Sequence, residues 1–180
     1  VAAVGGKVEN GNVRAEETGA AMARTGTALC PTLSIYRTIA QNVDGDITAY
    51  ASAKAKTAVA AHEQSFRMAM EARLDIVAGT DAGSCRTPHP ALVDELALMH
   101  AYGMATEAVL RAATSTAGRV LGRDGAVGVV RPGALADLLV LDGDPFDDLG
   151  ALRSPLAVVR AGSPVRRGKG EWPVRPQCRV

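Results

Sequence analysis

Apolar residues are arranged in two ways along the first two thirds of the chain: in short continuous runs, and in longer segments at helical spacing. The runs at residues 27–33 and 74–78 are typical of buried parallel strands. Residues 35–46 are mostly polar and predict a connection without regular structure. Helices are predicted for residues 16–24, 47–72, 92–103, 107–113 and 115–122, with Thr106 as the N-cap of the fourth helix.

The pattern changes at residue 127. Four short apolar segments follow, separated by glycine, proline and aspartate residues that favour turns. The alternation of strands and helices before this point predicts an α/β domain, and the later strands predict a small β segment attached to it. These later strands are predicted at residues 127–130, 137–141, 156–161 and 165–167.

The composition excludes several classes of protein. Apolar residues make up 47% of the 180 residues, which is enough for a hydrophobic core. A net charge of +1 and an aromatic content of 3% argue against nucleic-acid binding. Residues 169–180 form a basic tail that is expected to be disordered and solvated, the alternative being a nucleic-acid arm.

The sequence also bears on the compartment. No apolar stretch reaches the roughly 18 residues that a membrane-spanning helix needs, so no membrane association is expected. The three cysteines are widely spaced, which favours a reducing compartment. A cytoplasmic location is therefore predicted.

The strongest chemical feature is the sequence Gly-Thr-Asp-Ala-Gly at residues 79–83, directly after a predicted buried strand. In parallel α/β folds the active site lies at the carboxyl ends of the strands. A carboxylate there, such as that of Asp81, has the chemistry to bind a cation and to accept a proton from an attacking water. The alternative is that Asp81 only caps a turn.

Residues 75–83 resemble the last strand and metal-site loop of the amidohydrolase superfamily, above all its imidazolonepropionase-like and prolidase-like branch. Three later parts of the chain are similar to that family in the same order: Glu95 and Leu96 in a helix, residues 107–114, and residues 136–145. The resemblance implies an α/β fold that is the C-terminal part of a (β/α)8 barrel of the TIM type, followed by strands of a small β-sandwich.

The domain boundaries follow from the same resemblance. Residues 1–122 correspond to the C-terminal portion of the barrel, residues 123–168 to strands of the composite β-sandwich domain, and residues 169–180 to the tail. A complete barrel takes about 250 residues, so the chain is expected to be a fragment of a longer enzyme.

The resemblance also implies a cofactor and site residues. Enzymes of this superfamily hold one or two divalent metals, usually zinc. Asp81 matches their terminal aspartate, which is both a metal ligand and the catalytic proton shuttle. Asn10 stands where a histidine ligand is expected after the sixth strand, and an amide oxygen is a poorer zinc ligand than imidazole. His89 is expected near the substrate, the alternative being an exposed loop histidine.

The predicted function is hydrolysis of a C–N bond in a small-molecule amide, cyclic amide or dipeptide by metal-activated water. The isolated chain is expected to be inactive, since one carboxylate cannot hold a zinc ion. Its exposed strand edges predict association, and a homo-oligomer is one form that this could take. The alternative is a non-catalytic remnant of the same fold, because Asn10 replaces the expected histidine.

Overall fold

The computed structural model describes residues 7–9, 16–41, 48–83 and 91–167. Six α-helices, a 3₁₀ helix and five strands are assigned in these ranges. None of the helices has both the length and the apolar content that crossing a bilayer requires. The elements are β1 (Lys7–Glu9), α1 (Glu16–Thr25), β2 (Ala28–Cys30), α2 (Leu33–Gln41), α3 (Ala49–Glu71), α4 (Leu92–Ala101), α5 (Thr106–Ala113), α6 (Ser115–Val120), β3 (Leu138–Val140), a 3₁₀ helix (Leu149–Arg153), β4 (Ala157–Arg160) and β5 (Ser163–Arg167).

Three segments run parallel at the centre of the first part. β1 pairs with β2 so that Val8 lies opposite Leu29. Leu29 also forms a parallel bridge to Ile76, and its carbonyl accepts a hydrogen bond of 2.9 Å from the N–H of Val77. The apolar run at residues 74–78 is therefore a third parallel segment, as predicted. All three segments have their carboxyl ends at the same edge, where an α/β fold places its site.

The connection predicted for residues 35–46 was wrong over residues 35–41, which belong to helix α2. The helix buries Leu33, Ser34, Ile35 and Ala40. Its first turn has no acidic residue of its own, although Thr32 directly before it is a residue type that favours a helix start. The interaction that starts it comes from a distant side chain and is described below.

The hydrophobic core lies between the parallel segments and helices α3, α4 and α5. Helix α3 spans 23 residues and contributes Phe66 and Ala69, both near its end, to this core. The residues with the least exposure in this core are Leu29, Phe66, Ala69, Leu96, Met99, Val109 and Ala112.

Two smaller predictions were wrong. Thr106 is the first helical residue of α5 rather than its N-cap; Ala105 holds that position in an extended conformation, without a side-chain cap. Residues 127–130 form bends instead of a strand. Gly128 has φ 72°, and a Cβ on it would lie 2.3 Å from the carbonyl oxygen of Thr114, so this segment packs closely against the end of α5.

The three later strands form an antiparallel sheet in the order β3-β4-β5. Leu138 lies opposite Val159, and the pairing of β4 with β5 has an irregularity between Val158 and Val159. Leu139 and Val165 are more than half exposed. This sheet is therefore less completely covered than the parallel segments.

Candidate active site

Asp81 lies in the loop that follows the third parallel segment, at the edge predicted for the site. Its side chain is exposed, and its backbone is left-handed, with φ 53°. Aspartate adopts this conformation more readily than most residues. The Thr80 hydroxyl accepts a hydrogen bond of 3.2 Å from the N–H of Ala82, which stabilises the turn. Within the described ranges, no hydrogen bond or ion pair occupies the Asp81 carboxylate.

The end of β2 lies directly against the start of this loop. A Cβ added to Gly79 would lie 2.4 Å from Sγ of Cys30. Only glycine therefore allows the backbone of the loop to approach the Cys30 side chain this closely. The contact brings the exit of β2 next to the segment that carries Asp81.

The corner between β2 and α2 consists of Pro31 and Thr32. Both residues are buried, and Thr32 has a left-handed φ of 50°. Directly after the corner, Glu95 of α4 caps helix α2. Its two carboxylate oxygens accept hydrogen bonds from the backbone N–H groups of Leu33 (2.8 Å) and Ser34 (2.7 Å).

Glu95 has no exposed surface. Burial raises the pKa of its carboxyl group above the ordinary value, and the hydrogen bonds from the backbone of Leu33 and Ser34 oppose this rise. From the sequence, Glu95 was predicted to lie in a helix and received no role. The sequence signal for a structural role was a glutamate on the predicted apolar face of α4, between Leu92 and Met99.

His62 of α3 lies beneath the same corner. It is almost fully buried, and its ring meets that of Tyr36 edge-on with centroids 4.6 Å apart. Burial lowers the pKa of its imidazole. His62 is therefore a packing residue that supports the corner.

Asp75 occupies the opposite, amino end of the third parallel segment. Arg119 of α6 binds its carboxylate with both terminal nitrogens, at 2.6 and 2.8 Å. This hydrogen bonding by Arg119 lowers the pKa of Asp75. The pair joins α6 to the amino end of the third parallel segment, on the side away from Asp81.

Two of the residues predicted for the site, Asn10 and His89, lie outside the described residues. Among the residues that are described, no group of three or more histidine, cysteine, aspartate or glutamate side chains is arranged to hold a metal ion. Asp81 suits a single ligand position, since its carboxylate is exposed and engaged by nothing nearby in the described ranges. These ranges do not supply a complete metal site, and further ligands would have to come from elsewhere.

Comparison with known proteins identifies the family. The model of the amidohydrolase family matches residues 2–166. This chain belongs to the amidohydrolase family. An uncharacterised protein of Mycobacterium tuberculosis is 35% identical to it over 157 residues, which are 86% of this chain and 41% of that protein.

Solved structures agree with this assignment. A candidate prolidase from Bifidobacterium longum is 36% identical and superposes with a TM-score of 0.82, over 93% of this chain and 44% of that one. A Xaa-Pro dipeptidase with methionine bound in its active site is 26% identical, with a TM-score of 0.81 over 92% and 40% of the two chains. Such neighbours imply an α/β fold of the TIM-barrel type. This amidohydrolase chain spans less than half the length of these neighbours.

Proposed function

We propose that this chain is the C-terminal part of a metal-dependent amidohydrolase that hydrolyses the C–N bond of an amide or dipeptide. The observation that supports this most directly is the position of Asp81: an exposed carboxylate in a left-handed turn, at the carboxyl end of a parallel segment, in a chain of this family. Asp81 would be a ligand of the cation, expected to be zinc, and would also accept and return a proton.

A cation held there would supply a lowered pKa of bound water and polarisation of the scissile carbonyl. The chain's own contribution is to hold the Asp81 carboxylate at the strand end, where it takes the proton of the attacking water and delivers it to the leaving nitrogen. His89, six residues beyond Gly83, is proposed to contact the substrate. A Xaa-Pro dipeptide is the substrate to test first, because the similar solved structures include a candidate prolidase and a Xaa-Pro dipeptidase.

The proposal includes a division of the chain. Residues 1–122 would belong to a barrel, which the parallel pairing of β1, β2 and the segment 74–78 supports. Residues 123–168 would belong to a β-sandwich, which the antiparallel sheet of β3, β4 and β5 supports. Residues 169–180 would be a disordered tail, and the enzyme would act in the cytoplasm.

A chimera tests this function. The part of the Bifidobacterium longum protein that this chain does not cover is fused to residues 1–180, so that the expected missing ligands are supplied. We expect the purified chimera to bind zinc and to hydrolyse Xaa-Pro dipeptides, and the 180-residue chain alone to do neither. Turnover by the isolated chain with stoichiometric zinc would contradict its predicted inactivity.

The Asp81→Asn substitution in the chimera tests the role of Asp81, with Asp75→Asn as the matched control at the other end of the same segment. The proposal requires that Asp81→Asn abolish hydrolysis and that Asp75→Asn leave it. Equal zinc content and equal activity in the chimera and its Asp81→Asn variant would refute the assigned role.

One sequence observation favours a second candidate function. Asn10 stands at a position where the amidohydrolase resemblance implies histidine, so the chain is alternatively a non-catalytic form of the fold. Asn10→His in the chimera distinguishes the two: gained zinc and activity indicate an impaired enzyme, and an inactive chimera with or without the substitution indicates a non-catalytic protein.

A further inference from the structure

Glu95 carries a buried carboxyl group that has no part in the proposed chemistry. A carboxylate without solvent contact is costly unless hydrogen bonds replace the lost water. Here the two oxygens each receive one backbone N–H, from Leu33 and from Ser34, at 2.8 and 2.7 Å. Two hydrogen bonds to a single buried side chain fix the start of α2 relative to α4.

The corner between β2 and α2, which directly precedes α2, has a strained backbone. Thr32 holds a left-handed φ of 50° while 97% of its surface is buried, since only 3% remains exposed. A residue with a branched Cβ adopts this conformation only when its surroundings impose it. Glu95 from α4 hydrogen-bonds the first two residues after the corner, and His62 from α3 packs its ring against Tyr36 of α2.

This corner is connected to the loop of Asp81. Cys30 directly precedes the corner, and its Sγ occupies the space beside Gly79, where an added Cβ would be 2.4 Å away. A shift of the corner would therefore move Cys30 against the backbone of the loop. Glu95 lies in α4, the first helix described after that loop. Its side chain therefore connects the residues that follow β2 to the helix that follows Asp81.

We propose that Glu95 is a positioning residue for the candidate site: its carboxylate holds the corner between β2 and α2 against the loop that carries Asp81. Its effect on the loop follows from the contacts described here. Its effect on hydrolysis rests on the proposed function.

Hydrogen exchange measured by mass spectrometry on the 180-residue chain tests the first part. Three variants are compared: Glu95→Leu removes both acceptors, Glu95→Gln retains one, and Asp94→Asn, a neighbouring exposed carboxylate paired with Arg153, is the control. We expect exchange in peptides covering residues 31–41 and 74–83 to be about tenfold faster in Glu95→Leu, less accelerated in Glu95→Gln and unchanged in Asp94→Asn.

A peptide covering residues 106–113 is the internal reference, because a general loss of stability would accelerate exchange there as well. Two results would overturn the proposal. One is uniform acceleration of exchange across all peptides in Glu95→Gln, and the other is unchanged exchange at residues 74–83 in both Glu95 variants.

The chimera tests the second part. We expect Glu95→Gln to lower kcat about tenfold with zinc content and KM retained, and Asp94→Asn to leave kcat unchanged. If Asp81→Asn is inactive but Glu95→Gln is as active as the parent, the positioning role is wrong. If Asp81→Asn is fully active, the proposed function is wrong, and the exchange experiment still decides whether Glu95 holds the corner.

Discussion

The third parallel segment carries an aspartate at each end, and the two are placed in opposite ways. Asp75, at the amino end, is partly buried and bound by both terminal nitrogens of Arg119. Asp81, six residues later, is exposed, left-handed and engaged by no hydrogen bond or ion pair within the described ranges. In barrel enzymes the amino ends of the strands serve stability and the carboxyl ends serve chemistry. The proposed role of Asp81 would make the two carboxylates of this chain follow the same division.

The largest difference is expected in activity. In the chimera, Asp81→Asn should lower kcat about 100-fold or more, because a neutral amide neither binds zinc as a carboxylate does nor accepts a proton. Asp75→Asn should change kcat little, since that side chain lies at the other end of the segment. Steady-state kinetics on both variants measure this, and a larger loss of kcat in Asp75→Asn would break the comparison.

The contact between Gly79 and Cys30 tests how tightly the carboxyl end is packed. Gly79→Ala places a methyl group 2.4 Å from Sγ of Cys30, and such overpacking costs about 1–3 kcal/mol. Urea denaturation should show this loss. In a Cys30→Ala background the clash is removed, so the same substitution should cost much less; an equal cost in both backgrounds would mean that the sulfur is not the obstacle.

Glu95 should make stability depend on pH. Burial raises its pKa in the folded chain above the ordinary value of 4.5, so the folded state binds this proton more tightly than the unfolded state does. The free energy of unfolding contributed by Glu95 is therefore greatest below pH 4.5 and falls as the pH rises through the raised value. Removing one charged acceptor in Glu95→Gln costs about 1–3 kcal/mol at neutral pH.

Thermal or urea unfolding of the wild type and Glu95→Gln across this pH range measures the difference, with Asp94→Asn as the control. The downward slope with pH should be weaker in Glu95→Gln, which cannot ionise. An identical slope in both proteins would contradict the assignment.

The smallest effect on the free energy of unfolding is expected at the amino end of the third parallel segment. Asp75 and Arg119 are both partly exposed, and such pairs contribute at most about 1 kcal/mol. Because Arg119 lowers the pKa of Asp75, this contribution is present above pH 3.8, the ordinary value, and is lost as the pH falls through the lowered one. A double-mutant cycle with Asp75→Asn and Arg119→Gln measures it, and strictly additive losses would show that the pair contributes nothing.

Regular local patterns made part of the fold predictable. The parallel segments around Leu29 and Ile76 were found as short continuous apolar runs, and the long helix α3 was found because its apolar residues recur at helical spacing. The family resemblance, carried by residues 75–83 and the segments after it, was confirmed by the match over residues 2–166. The metal ligands stay predictions, since Asp81 alone of them lies in the described ranges.

Helix α2 shows where local patterns stop being informative. Its start depends on Glu95, 62 residues further along the chain, so no window around Leu33 contains the group that satisfies its first N–H donors. The left-handed Thr32 is a similar case, because it is almost fully buried in a conformation that threonine does not favour by itself.

The sequence by itself determined the class of the fold, the family and the place of the carboxylate that we propose as catalytic, because these depend on the pattern of apolar residues and on a contiguous motif. The tertiary structure alone decided which charged groups are bound and which remain available. That distinction depends on burial and on partners far apart in the chain: Arg119 reaches Asp75, Glu95 reaches the start of α2, and Asp81 is left exposed at the strand end.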